Sequence, residues 1–467
     1  QSFRRHFGEG VADAFIFGDK VISRSWWRCF LMPFAMEVLR DLRWAVRHHS
    51  LDALFHSVPL RFTQKWARWR GMQHGQKNRP VSSLLTNACP ASYTFDANNR
   101  AEERMAMDQR IIGAYVEDAV PADHFEALVL MGGYGRGEGG YQFKDGQPSP
   151  YNDYDYFLIV RSMSRRAARG LQHELKELAH RLSVIVGVEV DLAVLRSESL
   201  ASAPFTLMNA EMKWGHRVIA GNRHVIDSMP AMPFDQLALG EFTRLMNNRG
   251  ALLLMNRRML ALGKQLDEHQ REIFFKYLFK AVLACGDAFL AIEGSYHPLY
   301  AEKRRRMEFL KHSPGEDFLK LYALAMAQKF QPTASDFANE DLDSWLQDVT
   351  GHWLNAFSLL ESCRTRDQIG SWKDYALPRL SKGQLETSQK LRNLAITLRD
   401  FGARHTLGNL NWALRYPRER LISVLPLLLK FESESTSRNV IVPLAAPPQS
   451  DRSYVVERYL ETWARYA

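Results

Sequence analysis

The stretch that decides the fold spans residues 128–195 and has three parts: LVLMGGYGRGEGGY at 128–141, NDYDYFLIV at 152–160 and VEVDLAVL at 188–195. The first is a short apolar run, 127–131, ending at Gly132 and Gly133, where a glycine-rich turn opens that extends to Gly140. The second sets Asp153 and Asp155 on either side of Tyr154 at the mouth of an apolar run, 156–160. The third strand is expected within 184–195, around Gly187. There Val188, Val190, Leu192 and Val194 share one face, and Glu189, Asp191 and Ala193 share the other, because strand side chains alternate. Between the second and third parts, Leu171, Leu175, Leu178 and Leu182 recur three and four apart, so 164–183 reads as a helix. Strand, glycine turn, strand, helix, strand is an α+β arrangement suited to a nucleotide. Too few βα repeats follow for a doubly wound sheet.

The acids carry the chemistry. Side chains at i and i+2 of a strand leave the same face, so Asp153 and Asp155 point the same way. Like charges that close repel and raise one pKa unless a cation lies between them. Hard oxygen donors select Mg²⁺ or Mn²⁺ over zinc. A neighbouring strand bearing Asp191 completes a set of three carboxylates. Around two metals ~3.5–4 Å apart, such a set serves in-line phosphoryl transfer. Gly132 and Gly133 follow a strand directly, so their backbone N–H groups can approach a phosphate with no Cβ in the way. Arg136 can add a charge-assisted contact. Taken singly, each acid also reads as a solvated strand end; it is their order behind the glycines that gives them meaning.

These residues resemble the DNA polymerase β nucleotidyltransferase superfamily, whose signature is G-[GS], then D-x-D, then a distal Asp or Glu. GGYGRGE is similar to the turn of the bacterial nitrogen-regulatory uridylyltransferases, and WGHRVIAG at 214–221 resembles a glycine-containing segment of small members. The resemblance covers roughly residues 125–230. It implies a small polymerase-β-type sheet and a metal-dependent, ATP-binding class of transferase, moving NMP from an NTP to an acceptor hydroxyl with release of pyrophosphate. It also implies that Asp153 and Asp155 ligate both Mg²⁺ (or Mn²⁺) ions. Asp191 would ligate the catalytic metal and help activate the acceptor. Gly132 and Gly133 would hold the triphosphate, with Tyr134 and Arg136 beside them. Two departures stand out: Asp153 lies 20 positions after Gly133, and Asn152 replaces the Ser of many members. The excess, YQFKDGQPSP at 141–150, reads as an inserted loop. The alternative function is a catalytically degenerate nucleotide-binding or partner-binding protein.

The rest of the chain frames this core. With 467 residues, 46% hydrophobic and 24% charged, it is an ordinary globular composition with room for several domains. A net charge of +9 favours anionic partners without choosing among them. Four cysteines with no C-x-x-C pair indicate neither zinc nor a disulfide framework. With no signal peptide and no transmembrane run, a cytoplasmic location is the expectation. Residue 1 is Gln, so an upstream segment is expected.

Residues 1–75 form a helical aromatic and basic segment, with helices near 26–48 and 60–70 that either pack on the next domain or touch a membrane surface peripherally. Residues 76–100 have linker composition. The nucleotidyltransferase domain is placed at 101–234, beginning with a helix at 101–118, and a helical domain at 235–467. Helices in that domain are expected near 236–262, 270–293, 315–329, 341–363, 383–400 and 452–466, with a loose connection at 433–450. Lys303, Arg304, Arg305 and Arg306 read either as a phosphate-binding run or as a solvated helix face. Asn247, Asn248, Arg249 and Arg257 read either as cleft-lining or as packing residues. No aromatic, basic strand platform for RNA is seen, so a small-molecule or protein acceptor is expected.

Overall fold

The computed structural model describes residues 34–38, 41, 59 and 61–66, and from 100 to 466 all but 145, 263–264, 312, 334–336, 338–339, 378–389 and 431–437. Most of the expected N-terminal helical segment, and the linker through residue 99, lie outside the described residues. Within that segment, 34–38 and 61–66 are helical, and Arg61 pairs with Glu37 at 3.2 Å and Asp41 at 3.0 Å. The chain divides into two compact units. The first takes Gln1–Ala203 and Gly215–Pro230, and the second takes Pro204–Trp214 and Ala231–Ala467.

The first unit is α+β. Helix α1 (Arg100–Ala119) precedes strand β1 (Phe125–Leu130), hairpin strands β2 (Tyr141–Lys144) and β3 (Gln147–Pro150), and strand β4 (Tyr154–Val160). Helix α2 (Arg165–Val186) and strands β5 (Val190–Arg196) and β6 (Arg217–Gly221) follow. The main sheet has the order β5-β4-β1-β6. Strands β4 and β5 run parallel, and β1 is antiparallel to both β4 and β6. Alternation builds one core face: Leu128 and Leu130, Tyr154, Tyr156, Leu158 and Val160, and Val190 and Leu192 pack against the α1 and α2 stripes. The intervening residues, Asp155 and Asp191 among them, therefore occupy the opposite face.

Several elements differ from expectation. Ser164 caps α2 by accepting from the Ala167 N–H at 3.2 Å, but the helix runs on to Val186. The β-branched run 184–186 suggests strand; yet Val186 extends the buried stripe four residues past Leu182, and Val184 is exposed. Gly187, at φ 81°, ends the helix. Strand β6 is half-buried along most of its length, so it carries no alternation to read.

The expected loop at 141–150 is a hairpin. Its two prolines argue against strand, but Tyr141 pairs with Pro150 and Phe143 with Pro148, while the Tyr151 N–H donates to the Gly140 carbonyl at 3.1 Å. Antiparallel ladders alternate bonded and non-bonded pairs, so both prolines fall at non-bonded steps where no N–H is required. The Asp145-Gly146 turn sequence was the available hairpin signal.

β5 is a sheet edge, and α2 closes it. The Gln172 side chain donates to the Leu192 carbonyl at 2.7 Å and accepts from the Val194 N–H at 2.6 Å. Ser183 Oγ accepts from the Val190 N–H at 2.9 Å. These bonds occupy groups that an open edge would present to another strand.

The second unit is helical: α3 (Leu207–Trp214), α4 (Leu239–Ala261), α5 (Glu268–Ile292), α6 (Tyr300–Met307), α7 (Glu316–Phe330), α8 (Leu342–Thr365), α9 (Lys390–Phe401), α10 (Pro417–Leu429) and α11 (Arg452–Tyr466), with shorter turns between them. α5 is buried over most of its length and packs against α4, α7 and α8. Trp353 on α8 is fully buried, donates to the Met246 carbonyl at 3.1 Å and stacks on Phe357. Helix α10 carries apolar residues on every side and is buried all round, so it shows no helical period. The expected loose connection at 433–450 contains the helix Arg438–Leu444, with Val440 and Leu444 fully buried; Pro443 masks it in the sequence. Among the described residues no helix is long and apolar enough to cross a membrane.

Candidate active site

The register of the parallel pair builds the site. Asp155 lies directly opposite Asp191, with Tyr154 opposite Val190, and adjacent strands are about 4.8 Å apart. The Tyr154 N–H donates to the Glu189 carbonyl at 2.8 Å and fastens the start of β4 to β5. Asp155 and Asp191 are exposed and Asp153 is half-buried. The Asp191 carboxyl is raised above its ordinary range, first by partial burial and second by the negative charge of Asp153. The third expected acid is thus electrostatically coupled to the first and paired by register with the second.

The glycine turn abuts the same acids. The Met131 N–H donates to the Asp155 carbonyl at 2.8 Å, after which Gly132 turns the chain at φ 64° into a single helical turn, Gly132–Gly135. A Cβ on Gly132 would stand 3.0 Å from Asp155 Oδ2, the tip of an exposed side chain, and in left-handed backbone, so it is chiefly the backbone conformation that favours glycine. Other glycines of the run serve packing. A Cβ on Gly139 would lie 2.0 Å from the Tyr134 ring, and one on Gly135 would lie 2.5 Å from the Leu130 carbonyl oxygen.

Two expected nucleotide contacts are otherwise engaged. The Tyr134 side chain is buried. Its hydroxyl donates to the Gly140 carbonyl at 2.6 Å and accepts from the Tyr151 and Asn152 N–H groups, while its ring packs on Tyr154 at 4.5 Å. It braces the turn against the start of β4, and the side chain is committed to the fold. The Arg136 side chain is only 5% exposed and lies 3.7 Å from the buried Glu138 carboxylate. Its charge is directed into the turn rather than outward. Side-chain direction in so tight a turn follows from what lies beneath it, which the sequence does not display.

Asp108 is the residue that motif reading missed. It sits on the apolar stripe of α1, three residues after Met105 and four before Ile112, and that intrusion was its signal. It is 2% exposed, accepts from the Tyr154 hydroxyl at 3.1 Å and pairs with Arg104 at 3.0 Å. Arg104 in turn donates to the Val186 carbonyl at 3.0 Å. Burial pushes the Asp108 carboxyl up to about 6, against the opposing pull of Arg104 and Tyr154. Tyr154, the middle residue of D-x-D, thus ties the acid-bearing strand to α1.

The donor chemistry suits a divalent cation: hard carboxylate oxygens, and a raised Asp191 carboxyl that a positive charge would lower. Among the described residues no three His, Cys, Asp or Glu side chains are arranged to hold a metal ion as they stand. The backbones of Asp155 and Asp191 are register partners on adjacent parallel strands.

Several secondary candidates are engaged within the second unit, while Arg304 and Arg305 lie on an exposed helix face. Lys303 is 1% exposed, pairs with Asp287 at 2.7 Å and lies over the Tyr296 and Tyr300 rings. Arg305 and Arg306 pair with Glu302 at 2.7 and 2.9 Å. Arg257 donates to the Leu428 and Leu429 carbonyls at the end of α10, and Asn247 accepts from the Tyr459 hydroxyl.

No family model, curated protein or solved structure matches the chain.

Proposed function

We propose that the first unit is a metal-dependent nucleotidyltransferase that moves NMP from an NTP to the hydroxyl of a small-molecule or protein acceptor. The observation that carries this reading is Asp155 opposite Asp191 on parallel strands, with the Gly132 turn against the Asp155 carboxylate. In the reaction the acceptor oxygen attacks the α-phosphorus, the bond to the bridging oxygen of the β-phosphate breaks, and pyrophosphate leaves. Asp191, register partner of Asp155 on the neighbouring strand, would help activate the acceptor hydroxyl by receiving its proton. Asp153, Asp155 and Asp191 would hold Mg²⁺ or Mn²⁺, which would neutralise charge on the phosphates. The turn after β1 would receive the triphosphate through its backbone.

The test is transfer of label from α-labelled NTPs, each in turn, with Mg²⁺ or Mn²⁺, together with pyrophosphate release. The Asp153→Ala/Asp155→Ala protein is expected to lose both signals; equal signals from it and the wild type would refute the reading. The alternative is a catalytically degenerate protein that binds nucleotide without turnover. It predicts saturable NTP binding by the wild type with no pyrophosphate released.

A further inference from the structure

Helix α2 buries Leu171, Leu175, Leu178 and Leu182 and turns a basic arc outward. At about 100° per residue, with Arg165 set at zero, the leucines occupy roughly 220–280°. Arg165, Lys176, Arg169, His180, His173 and Arg166 fall in that order between about 0° and about 100°. From Arg165 to His180, every residue inside that arc is one of these six. Because a single helix carries them, they share one face, about 22 Å long. All six are exposed, and among the described residues none has a side-chain hydrogen bond, ion pair or ring contact. Arg165 and Arg166 stand in the first turn, which holds no acid and where the helix macrodipole disfavours cations. The charges at that end oppose the helix rather than stabilise it.

The acids beside the arc indicate what covers it. Glu177 and Glu174, both exposed, border it on one side, at about 120° and about 180°. On the other side an open groove of about 750 Å³ separates α2 from β5, and Glu189 and Asp191 line its far wall. A narrow basic strip with acids along both edges mismatches a uniformly anionic bilayer or nucleic-acid backbone, which would meet those acids as well. No apolar side chain lies in the arc to enter a bilayer. A protein, by contrast, can set a row of carboxylates on the strip and Lys or Arg at its rims. Arg165, Arg169, His173, Lys176 and His180 succeed one another three or four residues apart. That is the spacing at which a second helix lines up side chains on one of its own faces.

We propose that the outer face of α2 docks an acidic protein helix, with carboxylates along its centre and cations at its rims. The inference is independent of the reaction proposed for this unit. It is tested by fluorescence anisotropy of the full chain with a labelled Ala-rich helical peptide carrying Glu at every fourth position and Lys on both flanks. The reference is the same peptide with Gln for Glu. The wild type should prefer the Glu peptide about tenfold or more at low salt and release it as salt rises. Arg165→Glu/Arg169→Glu should weaken that binding about tenfold or more, whereas Arg304→Glu/Arg305→Glu on the second unit should leave it unchanged. Thermal unfolding of the α2 variant should not fall, because both positions are exposed and a carboxylate suits the first turn. Three outcomes would overturn the inference: equal binding of the two peptides, undiminished binding by the α2 variant, or tighter binding of a single-stranded oligonucleotide of equal charge than of the Glu peptide.

Discussion

Replacing Asp108 by Asn removes a buried charge while keeping an oxygen that can accept from Tyr154. The native carboxyl is raised from 3.8 to about 6 by burial, a difference of roughly 2 pH units, equivalent to about 3 kcal/mol at the limit. The folded state thus binds this proton more tightly than the unfolded chain does. The corresponding stability is fully present below pH 3.8 and is lost as pH rises through about 6. Between pH 4.5 and 7.5 the wild type should therefore lose about 2 kcal/mol relative to Asp108→Asn, which has no carboxyl to titrate. Loss of the Arg104 pair adds an offset that is the same at both pH values and drops out of the comparison. Hydrogen exchange of the β4 amides, read by mass spectrometry, reports the first unit alone. The wild-type to variant ratio of protection factors should fall about thirtyfold from pH 4.5 to pH 7.5. A ratio that stays constant would show that Asp108 does not titrate in this window, and burial as the dominant influence on its carboxyl would have to be abandoned.

Other substitutions probe the site's supports. Gly132→Ala should destabilise the first unit by about 1–2 kcal/mol through left-handed strain and crowding of Asp155, whereas Gly170→Ala, mid-helix in open space, should stabilise it by about 0.5–1 kcal/mol; β4 exchange protection ranks the two, and the reverse order contradicts the turn geometry. Gln172→Leu should cost about 2–3 kcal/mol, because it removes two bonds to edge backbone groups, and should promote concentration-dependent aggregation visible by light scattering. Lys303→Met should cost the second unit about 3–5 kcal/mol by leaving the Asp287 charge in the core without this cation; thermal unfolding should then show partial recovery in Lys303→Met/Asp287→Asn, and no recovery would rule out charge as the cause.

What the sequence made legible was whatever depended on alternation and order. The period-two pattern of 188–195 separates Asp191 from the core face, and the structure sets it opposite Asp155. The stripes of α1 and α2 follow their spacing. Illegible were features fixed by contacts distant in sequence. Tyr134 and Arg136 take their directions from the packing under the turn, and prolines at non-bonded ladder steps disguise a hairpin as a loop. A helix buried on every side, α10, has no period to detect. Asp108 was visible only as a polar intrusion on an apolar stripe, and its partner lies 46 residues away on β4.

The Gln172 amide does more than close an edge. Its bonds to Leu192 and Val194 are specific to those two residues, so it fixes the reading frame of β5 from the side opposite β4. A slip of one residue would exchange the two faces of the strand, carrying Asp191 into the core and Leu192 to the side of Asp155. Two independent frames, the ladder with β4 and the amide from α2, must both fail before the carboxylates can separate. The fidelity of the acid pair thus depends on a neutral side chain that touches neither of them.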